Sequence, residues 1–308
     1  MEVVRGRRNT PTWAGSAVAI GNFDGVHLGH RALVTRAREL AVAHDARVVA
    51  LTFDPHPSAV LGSRGGPPMV CSLARRLELL EEAGVDAVVV EPFTRELAGL
   101  APHAFVDDVL LHALRARAIV VGYDFTYGRG RTGTTTALRD HGIRAGVEVD
   151  IVSAVEIDGE VASSTKIRGY LQAGDVEAAA RLLGRPWDVD GIVIHGAKRG
   201  RTIGVPTANI APEVELPIAP GIYAVTLAAP GGPALPAVAS LGRNPTFVEG
   251  GGLVLEVHVL DWDGDLYDQR VRTTFAAWIR EERKFDSTEA LLVQIRDDLD
   301  VARHKLRR

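Results

Sequence analysis

Two histidines three residues apart, His27 and His30, stand inside the run GNFDGVHLGH, residues 21–30. Side chains at that spacing in a first helical turn point to the same side. Glycines at 21, 25 and 29 mark a tight turn between a strand and a helix. A helix N-terminus offers free N–H groups and the positive end of a dipole, so this neighbourhood suits a phosphate. Two imidazoles placed there can stabilise a transferring phosphoryl group with no protein nucleophile. A metal is the alternative: His56 would supply a third ligand, but nothing supplies a clear fourth. A solvated histidine pair is the plainest reading. Further on, SSTKIR opens a helix at residues 163–168. Its hydroxyls and N–H groups, with Arg168 one turn in, make a second anion site.

A different chemistry sits in GIVIHGAKRGRTIGVPTANI, residues 191–210, where Gly196, Gly200 and Gly204 punctuate Lys198, Arg199 and Arg201. A glycine-rich basic loop can wrap a polyphosphate with backbone N–H groups. The Thr207 hydroxyl and Asn209 carbonyl oxygen are hard ligands suited to Mg²⁺, which keeps waters and substrate phosphates around it. Downstream, Leu255, Val257 and Val259 alternate with Glu256 and His258. That period places Glu256 and His258 on one strand face, opposite the aliphatic one. A solvated cross-strand pair is the alternative. One other stretch imitates a nucleotide motif: GRGRTG, residues 128–133, fits G-x-G-x-x-G, with Glu148 and Asp150 beyond it. It does not open the sheet, and Tyr123 to Tyr127 separate it from its strand, which disfavours a dinucleotide site. Thr134 stands where a P-loop needs lysine. A flexible cationic loop over a nucleotide is the reading kept.

The elements that must hold these residues divide into two kinds. Apolar runs at residues 17–23, 47–53, 86–91, 118–122 and 147–152 alternate with helical patterns at 29–43, 73–84 and 102–114. Strands apolar along their whole length, separated by helices, predict a parallel sheet covered on both faces. Ser72 is a candidate N-cap and Gly84 a helix end. After two short helical stretches, the pattern changes at Arg185-Pro186-Trp187. GIVIHG, GIYAVTLAA, LPAVASLG, LVLEVHVLD and QRVRTTF are short strands with turn residues between them, which predicts a small antiparallel barrel. A final helix follows, capped by Ser287, with Leu291, Leu292, Ile295 and Leu299 on one face. The expected division is residues 1–185 and 186–308.

Composition sets outer bounds. The chain has 308 residues, about two domains' worth. It is 46% hydrophobic and 24% charged, which disorder would not produce. The net charge of −4 argues against a nucleic-acid coat, and the single cysteine, Cys71, against a disulfide framework or cysteine-based zinc finger. Cys71 stands before a helix and reads as unreactive. No apolar run is long enough to span a bilayer, and no apolar stretch follows the basic N-terminus. The expectation is a cytoplasmic protein without membrane or nucleic-acid partners, acting on small molecules.

GNFDGVHLGH resembles the HxGH signature of the nucleotidylyltransferase superfamily, in the form found in bacterial flavin adenylyltransferases. TFDPHP (52–57), GYDFTYG (122–128) and SSTKIR follow in that family's order. The 191–210 stretch, GIYAV (221–225), LGRNPTF (241–247) and LEVHVLDWDGDLYD (255–268) follow in the order of riboflavin kinases. Over roughly residues 15–300 the chain is similar to the bifunctional riboflavin kinase/FAD synthetase family of bacteria. The resemblance implies an α/β, Rossmann-like domain that adenylylates FMN to FAD, then a barrel domain that phosphorylates riboflavin to FMN, both with ATP and Mg²⁺. It implies that His27 and His30 steady the ATP phosphates, beside Gly21, Phe23, Asp24 and Gly29. Ser163, Ser164, Thr165 and Arg168 would bind the triphosphate, and His56 and Asp124 the flavin or nucleotide. In the kinase half, Gly196, Lys198, Gly204, Thr207 and Asn209 would bind ATP, with Thr207 and Asn209 on the metal. Asn244 would meet the flavin and Glu256 would be the general base; Arg280 and Phe285 would cover the flavin, with a helix-cap or core role as the alternative. Asp268 departs from the pattern, which has glycine after Leu-Tyr, and Arg129 and Arg131 depart in the 128–133 loop. Two rivals remain at this stage: an adenylyltransferase for another acceptor, with a non-catalytic barrel, and a flavin-binding regulator without activity.

Overall fold

The computed structural model describes residues 1–62, 65–196, 204–243 and 253–307. By packing, Met1–Pro67 with Leu73–Ala162 form one unit, and Pro68–Ser72 with Ser163–Arg308 another.

The first unit is built on six parallel strands: β1 (Glu2–Arg5), β2 (Ser16–Ile20), β3 (Arg47–Asp54), β4 (Ala87–Pro92), β5 (Ala116–Gly122) and β6 (Glu148–Val152). Their order is β1-β4-β3-β2-β5-β6. Both faces of the central strands are buried. Val18, Ile20, Val49, Leu51, Ile119 and Val121 pack on one side. Ala17, Ala19, Val48, Ala50, Ala118 and Val120 pack on the other. This explains the uninterrupted apolar runs. The second face carries α1 (Leu28–Ala43) through Leu33, Val34, Ala37 and Leu40, and α3 (Leu73–Glu82) through Leu79 and Leu80. Short α2 (Pro57–Leu61) and α4 (Arg95–Ala98) lie in the connections, and α6 (Thr135–Ala145) precedes β6. The helix expected from Pro102 starts there as α5 (Pro102–Ala104) but continues as a π-helix, Phe105–Ala113, on the first face.

The chain runs from β2 to β3 on one side, then from β4 to β5 on the other side of β2. Ligands of such sheets bind outside the carboxyl ends of the strands where the order reverses. GNFDGVHLGH follows β2, TFDPHP overlaps the end of β3 and GYDFTYG begins at the end of β5, so all three predicted segments gather at that end. The strand expected over 17–23 stops at Ile20, because Phe23 already has a left-handed φ of 50°. Strand β1 lies outside the expected set.

In the second unit, α7 (Ser164–Gln172) and α8 (Val176–Leu183) precede a closed barrel. Its strands are β9 (Trp187–Ile194), β10 (Ala208–Pro212), β11 (Gly221–Ala228), β12 (Leu235–Arg243), β13 (Leu253–Val259) and β14 (Arg270–Arg280). They close in the order β10-β13-β12-β11-β14-β9. A two-stranded hairpin, β7 (Glu156–Ile157) with β8 (Glu160–Val161), lies in the first unit. Trp187, Tyr223 and Phe275 fill the barrel interior, with ring centroids 4.9 Å and 5.3 Å apart. Strand β10 is also outside the expected set: four of its five residues are partly exposed, so it lacks the apolar alternation that marks the other strands. Helix α9 (Thr288–Leu306) is capped as expected, with Ser287 Oγ accepting from the Ala290 N–H (3.1 Å). Ala302 packs on Ala224 and Ala277 of the barrel. No helix among the described residues is long and apolar enough to cross a membrane.

Candidate active sites

The first site is a turn and a helix start. Past β2, Phe23 (φ 50°) and Val26 (φ 41°) take left-handed backbone, unusual for such residues. Their side chains are buried in the core under α1, which holds them there. The strain falls where function is expected to store it. His27 is the N-cap of α1: the His30 N–H donates to His27 Nδ1 (3.3 Å). With Nδ1 accepting, a neutral His27 carries its proton on Nε2. The two rings stack, centroids 3.6 Å apart and 23° between planes. Arg31 N–H bonds the His27 carbonyl (2.9 Å). Leu28 and Gly29 are left as first-turn amides without a partner inside the helix. A Cβ on Gly29 would stand 3.0 Å from His27 Cε1 and 3.3 Å from the Ala162 carbonyl oxygen, tighter than ordinary contact. This glycine is needed for the His27 ring to lie against the helix.

Burial holds the His30 pKa well below the usual imidazole range, and the neighbouring His27 and Arg76 push the same way. Its Nδ1 is buried with no partner among the described residues. Asp24 and Phe23 are buried and Gly21 packs on the Phe23 ring. His56 has both ring nitrogens engaged: Nδ1 accepts from the Ser58 N–H (3.3 Å) and lies 2.6 Å from Ser58 Oγ, and Nε2 lies 3.1 Å from Asn22 Nδ2. It ties the β3 loop to the β2 turn. Asp124 is exposed just past β5. The 128–133 loop is a closed turn: Tyr127 and Gly133 pair as an isolated bridge, and a Gly133 Cβ would strike the Tyr127 ring. Arg131 Nε donates to Thr126 Oγ1 (2.8 Å). It leads directly into α6, which Thr134 caps (3.2 Å to the Ala137 N–H), but residues 123–127 separate it from β5, unlike a dinucleotide loop.

Two residues of this site were not read from sequence, Asn22 and Arg76. Arg76 lies on the apolar stripe of α3 that contains Leu73, Leu77 and Leu80, at helical spacing. That position is the signal that would have found it.

In the second unit, Ser163 caps α7, its Oγ accepting from the Lys166 N–H (3.3 Å). Ser164, Thr165 and Arg168 occupy the first turns of that helix.

The barrel site lies along β10, β13 and β12. Asn209 pairs with Glu256, and Glu256 in turn with Ser240. The predicted alternation holds: Leu255, Val257 and Val259 are buried. Glu256 and His258 line a cavity of about 670 Å³. Its other walls combine apolar residues, including Ile222, Phe285, Leu291, Ile295 and Leu299, with polar ones, including Ser240, Arg280, Glu282 and Asp298, and Thr207 is among the lining. Thus the apolar face of α9 forms a cavity wall, while Asp298 and Ala302 are the residues it buries. Such a space fits a small, mostly aromatic ligand.

Arg280 makes a forked pair with Asp298 (2.8 and 2.6 Å) and lies over the Phe285 ring (5.9 Å), so it ties the end of β14 to α9. The Glu282 carboxyl is pushed up, first by burial and then by Glu256, against the pull of Arg280. His258 Nδ1–H donates to the Pro206 carbonyl (2.7 Å), next to Thr207.

A second cavity, about 380 Å³, also includes Thr207 and is lined by Trp262, Gly264 and Tyr267. Tyr267 lies against His195, centroids 4.1 Å apart. A Gly196 Cβ would stand 2.2 Å from Asn209 Nδ2, so the Asn209 amide rests on that glycine. Gly204 has φ +78°. Asp268 has φ 62°, which aspartate tolerates, and its N–H donates to the Val193 carbonyl (2.9 Å). A glycine would take this conformation freely. Lys198, Arg199, Arg201, Gly200 and Asn244 lie outside the described residues.

Residues 9–166 match the FAD synthetase family and residues 183–306 the riboflavin kinase family. The chain is similar to a bifunctional riboflavin kinase/FMN adenylyltransferase of Pseudomonas fluorescens, 39% identical over 98% of this chain and 97% of the relative. The Escherichia coli K12 protein of the same description is 36% identical over 97% and 96%. Among solved structures, a crystal structure titled macrolide-efflux protein from Streptococcus pneumoniae superposes with a TM-score of 0.88. Its sequence identity is 31%, over 98% of this chain and 99% of that one.

Proposed function

The chain belongs to the bifunctional riboflavin kinase/FMN adenylyltransferase family, and from that premise we propose which residues carry its two reactions. The protein phosphorylates riboflavin to FMN with ATP and adenylylates FMN with ATP to FAD and pyrophosphate. The division we propose is residues 1–185 for adenylyl transfer and 186–308 for phosphorylation. It is supported by a first family match that ends at 166 and a second that begins at 183.

In the kinase half, riboflavin occupies the larger cavity, between the aliphatic face of α9 and β13. Glu256 takes the proton from the 5′-hydroxyl as that oxygen attacks the γ-phosphorus of ATP and the bond to ADP breaks. The observation that carries this is the place of Glu256: a carboxylate lining the cavity that Leu291, Ile295 and Leu299 wall, beside Asn209 in register and with Thr207 in the same lining. ATP takes the smaller cavity, which Thr207 lines, and Gly196, Gly204 and Lys198, the last outside the described residues, are assigned to it. The hydroxyl and amide oxygens of Thr207 and Asn209 are hard donors that fit Mg²⁺, which would neutralise phosphate charge when bound. Arg280 acts on the flavin through α9 and Phe285; Asn244, outside the described residues, is assigned to the flavin as well.

In the adenylyltransferase half, the FMN phosphate attacks the α-phosphorus of ATP and pyrophosphate leaves. The attacking group is already an anion, so no carboxylate base is required. His27 donates from Nε2, its tautomer set by the cap bond, and the free amides at the start of α1 complete the anion cradle. Gly21, Phe23, Asp24 and Gly29 shape the turn, Ser163, Ser164, Thr165 and Arg168 bind triphosphate, and His56 and Asp124 border the flavin side. The protein acts on small molecules in the cytoplasm without a nucleic-acid partner.

Separation of the flavins formed from riboflavin, ATP and Mg²⁺ tests the assignment. Glu256→Gln is expected to lower FMN formation about 10²–10⁴-fold, while FAD still forms from supplied FMN. His27→Ala with His30→Ala gives the reverse. Loss of both activities in a folded Glu256→Gln protein would overturn the two-site division.

A further inference from the structure

Arg76 is 3% exposed, yet no carboxylate among the described residues pairs with it. Its neighbour Arg75, also buried, has Glu78 at 2.9 Å and Glu82 at 3.0 Å. The fold thus supplies counterions to one arginine of the pair and not to the other. Arg76 Nη1 donates only to Thr52 Oγ1 (3.4 Å) and the Phe53 carbonyl (3.3 Å), both long, and Nε is buried without a partner. A buried cation held only by long bonds to neutral oxygens is poorly compensated, and removing a charge from water is costly unless an anion meets it.

The partners it does have lead to the phosphate turn. Thr52 is fully buried at the carboxyl end of β3, and its Oγ1–H donates to the Asn22 carbonyl (3.1 Å). The Asn22 side chain in turn meets His56 Nε2 (3.1 Å). Arg76 donates to Thr52 and Thr52 to the Asn22 carbonyl, so the first bond polarises the second. The same positive charge is felt at His30.

We propose that Arg76 is a positioning residue for FAD synthesis, whose buried charge is balanced by the phosphates of bound nucleotide rather than by a carboxylate of the protein. It holds the Asn22 turn through Thr52 and keeps positive potential under the phosphate site. The inference rests on the assignment of His27 and His30 to adenylyl transfer.

The test uses the full chain and compares Arg76→Lys with Arg76→Gln. Both lose the forked guanidinium, and only lysine keeps the charge. FAD formation from FMN and ATP is measured together with its reverse, FAD plus inorganic pyrophosphate, and riboflavin phosphorylation in the same preparation reports folding. Arg76→Gln is expected to lose about 100-fold in kcat/KM for FAD formation, with a raised KM for pyrophosphate. Arg76→Lys should stay within about fivefold, with phosphorylation unchanged in both. Equal FAD synthesis by the two variants overturns the role of charge. If Arg76→Gln does not fold, Thr52→Val carries the test: it should lower kcat about tenfold at unchanged pyrophosphate KM, and wild-type kcat overturns the positioning path. His30→Ala run alongside separates the failures. If it leaves FAD synthesis intact, the site assignment has failed; if it abolishes FAD synthesis while Arg76→Gln does not, only the Arg76 proposal has.

Discussion

Adding one methyl group at Gly196 should silence one reaction and spare the other. The glycine has no left-handed φ, so alanine can adopt its backbone. The new Cβ would stand 2.2 Å from Asn209 Nδ2, 2.5 Å from Cγ and 2.8 Å from Oδ1. Ordinary contact begins near 3.4 Å, so the amide must retreat by about 1.2 Å. Strand β10 cannot retreat with it, because Asn209 is paired on both sides, with Ile194 and Glu256. The movement therefore falls on the side chain that carries the proposed metal oxygen. Misplacing a catalytic group by about 1 Å costs on the order of 100-fold, or about 2.7 kcal/mol of barrier. Only the end of a side chain moves, so stability should change by less than about 1 kcal/mol. The assay follows FMN from riboflavin, ATP and Mg²⁺, with FAD from supplied FMN as the control in the same sample. Gly196→Ala should lose about two orders of magnitude in the first and nothing in the second. Phosphorylation within threefold of wild type would refute the claim that Asn209 is held in place for this reaction.

Three further outcomes follow from the sites. His30 is neutral when folded and its pKa lies below the ordinary 6.5. The unfolded chain therefore binds the extra proton as pH falls through that value, and stability present above about pH 6.5 is lost below it. The difference in unfolding free energy between wild type and His30→Gln should narrow from pH 7 to pH 5, and parallel curves would remove His30 from the buried neutral role. Asp298→Asn leaves Arg280 half paired at a largely buried site and should cost about 3 kcal/mol in denaturant unfolding of the barrel, with a raised KM for riboflavin as α9 loosens; an unchanged midpoint would contradict the tie. His258→Ala should slow phosphorylation about tenfold, and His258→Asn should recover most of it because its amide N–H can replace Nδ1–H toward Pro206; no difference between the two variants would show that the bond does not matter.

Much of the fold is legible in the sequence because burial on both faces of a parallel sheet leaves an unmistakable apolar run, as in Arg47–Asp54 and Ala87–Pro92. The barrel strands are legible by alternation, and a period of two is enough to put Glu256 and His258 on the face away from Leu255, Val257 and Val259. What does not show has physical reasons. Strand β10 is a partner to β9 and β13 by hydrogen bonds, not by burial of alternate side chains. The helix from Pro102 shifts to π geometry, which no period of 3.6 announces. The leucines of α9 suggest a core face, and they line the cavity instead.

The glycines of the two sites look, in sequence, like places where backbone must approach phosphate. Gly29 and Gly196 have another reason to be glycine: each leaves room for a side chain of the protein itself. The His27 ring would stand 3.0 Å from a Gly29 Cβ, a tight contact, and the Asn209 amide 2.2 Å from a Gly196 Cβ, an overlap. Both glycines set the position of a proposed functional group, so the loss on substitution should appear in the rate rather than in nucleotide affinity. That separates them from Gly204, where no described residue lies within 4 Å of a Cβ and the positive φ disfavours other residues. Gly204→Ala should therefore act through the loop backbone and raise the KM for ATP, whereas Gly196→Ala should lower kcat. A KM effect from Gly196→Ala equal to that from Gly204→Ala would mean that both glycines serve the backbone after all.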